Sequence, residues 1–205
     1  LNSIGFPDEQ LMVGGLVVRT TLDKTAQTAA EAAVFSQAPK DGPSNLHIGL
    51  ASIRPGTGEI VAMYGGPDYL KRQLNDATQG IAQAGSTFKP FALVAALEQG
   101  ISLSTVWNGD GPKIFDDFLG RPYQVSNYGD KSFGDITLLR ATANSVNTVY
   151  VPLGIKVGPD KVIDAARRAG IPDDIAMVPT PSVVLGVASP HVLDVANAYA
   201  TFAAN

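Results

Sequence analysis

Ser86 and Lys89 stand three residues apart in the stretch Ala84-Gly85-Ser86-Thr87-Phe88-Lys89-Pro90-Phe91. Residues three apart on a helix share a face, with about 5–6 Å between Cβ atoms. Lys89 therefore reaches the Ser86 oxygen, which is what a serine nucleophile needs from a lysine base. Local signals put a helix start here. Gly85 breaks the preceding chain, Ser86 suits an N-cap or first-turn position, and Pro90 is tolerated in a first turn. Residues 91–99 continue as an apolar helix that Gly100 ends. Unpaired N–H groups and the positive end of the helix dipole would stabilise an alkoxide on Ser86 and disfavour a charged Lys89. Burial beside Phe88 and Phe91 pushes the lysine the same way. A lone Ser-x-x-Lys still arises by chance in a chain of this size, so it needs company.

A second polar cluster is Ser145-Val146-Asn147, which by itself reads as a helix junction. His47 and His191 are the two histidines. His47 falls in a predicted strand and His191 in a predicted first helical turn, so both read as structural, which weighs against a Ser-His-Asp hydrolase. Trp107 and Tyr128 suit either a groove wall or core packing. The segment 123–128, with Asn127, is expected to line a groove.

Composition narrows the field. With 45% hydrophobic and 17% charged residues, the 205-residue chain can bury a substantial core. A net charge of −4 with no basic patch argues against a nucleic-acid partner. The absence of cysteine removes disulfides and thiolate metal sites, and two histidines make a zinc site improbable. No apolar run is long enough to span a membrane.

The elements that must position these residues follow in order. Residues 1–13 read as an irregular linker remnant. Leu16 to Leu22, rich in β-branched residues, predicts a strand. Asp23 caps a predicted helix from Lys24 to Gln37, with Ala26, Ala29, Ala30, Ala33 and Val34 at helical spacing. Leu46–Ile53 and Glu59–Tyr64 predict a hairpin, its turn Arg54-Pro55-Gly56-Thr57-Gly58 carrying two glycines for positive φ. Val106 to Phe115 and Arg121 to Tyr128 read as short strands joined by Asp117-Phe118-Leu119-Gly120. Ile136 to Ala143 predicts a short helix, interrupted at 144–147, with another over Thr148–Ile155. Gly158-Pro159-Asp160 restarts a helix to Ala169. Ser189-Pro190 predicts an N-cap and first helical residue. The helix beyond has Val192, Val195, Ala196, Tyr199 and Phe202 on one apolar face.

Taken together, these stretches resemble the transpeptidase domain of class A penicillin-binding proteins, the bifunctional cell-wall synthases, and actinobacterial members in particular. The resemblance runs along almost the whole chain. Thr20-Thr21-Leu22-Asp23 with Gln27 and Ala30-Glu31 is similar to the family's opening. Residues 54–66 are similar to its first hairpin, and Asn75-Asp76-Ala77-Thr78 precedes its Gly-Ser-x-x-Lys-Pro at Gly85 to Pro90. Ser145-Val146-Asn147 matches its second motif. Leu185-Gly186, Ser189-Pro190 and residues 198–203 are similar to its later helices.

The resemblance implies an α/β (α+β) serine transpeptidase fold, with a mainly antiparallel sheet packed between helices, of which residues 14–205 form the N-terminal part. It implies that Ser86 attacks the D-Ala-D-Ala carbonyl of a peptidoglycan stem peptide, with Lys89 as base. Ser145 would relay the proton to the leaving D-alanine, and Asn147 would bond the substrate amide. The Ser86 N–H would supply half of an oxyanion hole. β-Lactams would acylate the same serine, and no metal or organic cofactor would be needed. The parent protein would be membrane-anchored and act at the outer face of the bacterial cytoplasmic membrane.

The family's third motif, Lys-Thr/Ser-Gly on a core strand, has no counterpart. Lys24-Thr25 is followed by Ala26, and Lys131-Ser132 by Phe133. The expectation is therefore a second chain carrying the remaining strands, and an inactive fragment without it. The same fold and first two motifs serve serine β-lactamases and β-lactam sensors, which stay as the alternative. Class A β-lactamases use a glutamate after the second motif, but Glu9, Glu31, Glu59 and Glu98 all precede Asn147. A non-catalytic scaffold is disfavoured by the intact set Ser86, Lys89, Ser145 and Asn147.

Overall fold

A computed structural model describes residues 15–43, 45–116 and 120–204. The linker at 1–13 and residues 117–119 of the predicted 117–120 turn thus lie outside the described residues. Helix α1 (Lys24–Gln37) begins where predicted, with the Asp23 carboxylate accepting from the Ala26 N–H at 2.8 Å. It turns Ala30 and Val34 inward and packs on the hairpin. Strands β1 (Leu50–Ile53) and β2 (Ile60–Tyr64) pair antiparallel from Leu50↔Tyr64 to Ile53↔Ile60, with a register shift at Ser52/Ile53. Gly56 and Gly58 take φ of 82° and 74°, the left-handed values the turn requires. The hairpin touches α1 through β2 and the last helix, α6 (Val192–Ala204), through β1.

Between these come α2 (Lys89–Glu98), β3 (Val106–Asn108), β4 (Lys113–Asp116), β5 (Pro122–Val125) and β6 (Asp135–Thr137). Helices α3 (Leu138–Ala143), α4 (Asn147–Val157) and α5 (Pro159–Ala169) follow. Among the described residues the sheet content is antiparallel, as expected, but forms three two-stranded ribbons, β1–β2, β3–β6 and β4–β5. The core is helical. Phe88, Phe91, Val149, Tyr150, Leu153 and Val162 are fully buried where α2, α4 and α5 meet.

Several expectations need correction. Leu16–Leu22 forms no strand and lies exposed. Its β-branched residues find no ladder partner; Thr21 Oγ1 on the Ile60 carbonyl and Asp23 N–H on Val61 are the links to β2. β1 starts at Leu50 rather than Leu46. A Cβ at Gly49 would stand 2.7 Å from the Asp76 carbonyl, so the chain there runs against the 76–77 backbone instead of a strand. Val106–Phe115 divides into β3 and β4, which pair with different partners. Ile136 and Thr137 belong to β6, and the helix starts two residues later than predicted, at Leu138, where Thr137 Oγ1 accepts from the Arg140 N–H. Ser189 and Pro190 precede α6 by two residues or more. The His191 N–H donates to the Asp194 carboxylate at 2.9 Å, capping the helix from within. On α6 Ala198 is the buried residue, while Val192, Tyr199 and Phe202 stay 36–39% exposed.

Candidate functional site

Ser86 lies in a 3₁₀ turn, Gly85–Phe88, that runs directly into α2. It is a first-turn residue rather than an N-cap, and its hydroxyl is free to meet Lys89 instead of the backbone. The turn is held from outside. The Ala84 N–H donates to the Ala188 carbonyl (2.9 Å) and the Gly85 N–H to the Gly186 carbonyl (3.0 Å). Gly186 has φ of 69°, and a Cβ there would fall 2.1 Å from the Gly85 oxygen. Only a residue without a side chain lets these two segments approach so closely. Tyr199 of α6 donates to the Thr87 carbonyl at 2.9 Å and fixes the turn from a third side.

Ser145 closes the site from the turn between α3 and α4. Its φ of 52° is the left-handed conformation, unusual for a residue with a side chain. That turn brings both its carbonyl and its hydroxyl to the same partner. Asn147 opens α4, and its Nδ2 donates to the Ser126 carbonyl at 2.9 Å, which points Oδ1 inward. Lys89 Nζ lies 3.0 Å from Ser86 Oγ, 2.7 Å from Ser145 O, 2.8 Å from Ser145 Oγ and 2.6 Å from Asn147 Oδ1. The four residues named from the sequence are thus brought onto one nitrogen.

The chemistry of that nitrogen follows from its partners. Lys89 is 3% exposed, and burial lowers its pKa from 10.5 to about 8. A neutral amine has two N–H bonds and one lone pair. The Ser145 carbonyl and Asn147 Oδ1 can only accept, so they take the two N–H bonds. The lone pair is left for the hydroxyls of Ser86 and Ser145, the two partners that can donate. The arrangement therefore orients Lys89 to remove a hydroxyl proton.

A groove of about 460 Å³ opens on Ser86, with Asn127, Tyr128, Lys131, Ser145 and Asn147 on its walls. Tyr128 stands 93% exposed at the rim. Asn127 is buried, and its amide ties Gly109, Lys131 and Thr148 together, so its role is to hold the wall. Trp107 is outside the groove. It packs on the core, with Lys156 Nζ 5.5 Å from its ring centroid. A larger, more apolar groove of about 650 Å³ contains His47, Asp76 and His191 but none of the four site residues. His47 lies outside β1, with Nδ1 3.8 Å from Asp76, and His191 pairs with Asp194 at 2.9 Å. Neither reaches Ser86, so no Ser-His-Asp site is assembled. Among the described residues no group of three or more His, Asp or Glu side chains could hold a metal, and no helix is long and apolar enough to cross a membrane.

Sequence reasoning missed Tyr150, whose ring centroid lies 5.5 Å from Lys89 Nζ. The signal was weak, since a lone aromatic one helical turn into α4 reads as core.

Fold and site together define a largely helical core with antiparallel ribbons, in which a buried lysine meets two serines and an asparagine beside an open groove. The family model described as penicillin binding protein transpeptidase domain matches residues 50–181, and the chain belongs to that family. It is 32% identical over 201 residues to penicillin-binding protein 2D of Bacillus subtilis, covering 98% of this chain and 28% of that protein. It is 38% identical over 213 residues to penicillin-binding protein 1A of Mycobacterium tuberculosis, covering 97% of this chain and 25% of that protein. The chain therefore spans roughly a quarter of the length of these curated relatives. The solved structure of PonA1 from Mycobacterium tuberculosis in complex with penicillin V is similar to this chain, with a TM-score of 0.85 and 35% identity. That match covers 99% of this chain and 55% of the solved one.

Proposed function

We propose that this chain forms the nucleophile-bearing part, residues 14–205, of a serine D,D-transpeptidase that crosslinks peptidoglycan stem peptides and is acylated by β-lactams. The observation that carries the reading is the single buried amine, Lys89 Nζ, within 3.0 Å of oxygens from Ser86, Ser145 and Asn147. Ser86 Oγ attacks the carbonyl between the two terminal D-alanines while its proton passes to Lys89. The Ser86 N–H, at the positive end of α2, donates to the oxyanion. Collapse breaks the peptide C–N bond, and the proton moves from Lys89 through the Ser145 hydroxyl to the departing D-alanine. An amine from a neighbouring stem then attacks the acyl-enzyme, and Ser86 recovers its proton. Asn147 Oδ1 has a second lone pair for a substrate amide N–H.

The second oxyanion donor and the recognition of the substrate carboxylate come, in this reading, from sequence beyond this chain, in the same polypeptide or a second one. Without it the chain is inactive. The whole protein works anchored at the outer face of the cytoplasmic membrane. Fluorescent penicillin tests the reading on the whole domain. Covalent label that is lost in Ser86→Ala and released over hours supports a transpeptidase. Release within seconds marks a β-lactamase of the same fold, and no label sinks both.

A further inference from the structure

Tyr150 is the bulkiest fully buried side chain in the core, at 0% exposure, and no step above uses it. Its hydroxyl is pinned. Thr142 Oγ1 donates to the Leu138 carbonyl at 2.8 Å, so the Tyr150 hydroxyl donates to Thr142 Oγ1 at 2.7 Å. With the hydroxyl fixed, the ring is fixed, and its centroid sits 5.5 Å from Lys89 Nζ. Lys89 thus has a polar side, where Ser86, Ser145 and Asn147 gather, and a side walled by an aromatic face. We propose that Tyr150 is a positioning residue whose ring seals the core side of the Lys89 pocket against water.

The inference rests on the reading of Lys89 as the base and goes beyond it, because it says what keeps the amine dry. The surroundings leave few other candidates. Tyr150 faces Lys89 from α4. From α6 the nearby titratable group is Tyr199, which interacts with Tyr150 and donates to Thr87. The direct partners from the Ser86 turn, Ser145 and α4 are uncharged. No carboxylate or second cation contributes to the lowered pKa of Lys89, which comes from burial. Two effects of the ring oppose each other. As a π-face it favours an ammonium; as a wall that excludes water it disfavours one. Removing the ring without the fold would leave Lys89 Nζ and Thr142 Oγ1 facing a space with polar partners for water.

The test titrates Lys89 directly in the whole domain. Lysine labelled with ¹³C at Cε is followed by NMR against pH, and the Lys89 signal is assigned by its loss in Lys89→Gln. In Tyr150→Leu the midpoint is expected to rise from about 8 by roughly one unit, which cuts the neutral fraction at neutral pH about tenfold. Tyr150→Phe keeps the ring and is expected to titrate with the wild type. Tyr150→Met replaces Tyr150→Leu if the latter does not fold. An unmoved or lowered midpoint in the folded aliphatic variant, or an equal rise in Tyr150→Phe, overturns the proposal. Failure of penicillin to acylate Ser86 would instead sink the transpeptidase reading and leave this titration standing as its own result.

Discussion

A buried lysine held near neutrality leaves a mark on stability that needs no substrate to observe. Folding shifts the Lys89 pKa from 10.5 to about 8. At about 1.4 kcal/mol per pH unit, the folded state carries a penalty of about 3 kcal/mol whenever the lysine is protonated in both states. Below about pH 8 that penalty is constant. Between about pH 8 and 10.5 the unfolded chain holds a proton that the folded chain has lost, so folding becomes more favourable as pH rises. Lys89→Met removes the titration. It also leaves the Ser145 carbonyl and Asn147 Oδ1 without their N–H donors, which costs about 1–3 kcal/mol each at every pH and changes the height of the curve, not its slope. The difference between wild type and Lys89→Met isolates the lysine. From about pH 8 to about pH 10 the wild type is expected to gain about 2 kcal/mol relative to the variant. Urea unfolding followed by the fluorescence of Trp107, the one tryptophan, reads this directly. Tyr123, Tyr150 and Tyr199, whose pKa values are raised by burial, are common to both proteins and cancel. Parallel curves over this range would show that Lys89 is an ordinary charged lysine, and the proton-transfer argument would lose its base.

Two further substitutions probe the geometry around that lysine. Gly186→Ala places a methyl 2.1 Å from the Gly85 oxygen; it should destabilise the fold by about 2–4 kcal/mol in urea and slow acylation of Ser86 by displacing its turn. Ser145→Gly relieves a left-handed φ that costs a side-chain residue about 1 kcal/mol, so its Tm should be no lower than the wild type. Loss of the hydroxyl relay should nevertheless slow penicillin acylation by at least about tenfold.

The sequence made the local elements readable where a cap or turn residue and a periodic pattern agreed. Asp23 with the alanine spacing of α1, the Gly56/Gly58 hairpin and the Gly158-Pro159 restart of α5 all appear as expected. The Ser86–Lys89 relation was legible because spacing of three on a helical turn fixes it, and Ser145 and Asn147 entered through a family motif rather than through local physics. What stayed hidden depended on partners distant in sequence. Leu16–Leu22 has strand-forming residues but no strand to pair with. Asp135–Thr137 pairs with Val106–Asn108, nearly thirty residues earlier, and no local pattern announces that. The strained Ser145 backbone, the close approach of Gly186 to Gly85 and the Tyr150 wall exist only once α4, α6 and the 181–186 segment close around the serine turn.

The central claim is that Ser86 becomes covalently acylated. Trypsin does not cut before proline, so the Lys89–Pro90 bond survives and Ser86 is carried on the peptide spanning residues 73–113. Opening of a β-lactam ring is an addition with no leaving group. After reaction of the whole domain with penicillin, mass spectrometry should find this peptide heavier by the full mass of the antibiotic. Fragmentation should place the added mass on Ser86. The same mass on Ser145, on Lys89 or on any other peptide, with residues 73–113 unmodified, would contradict the account.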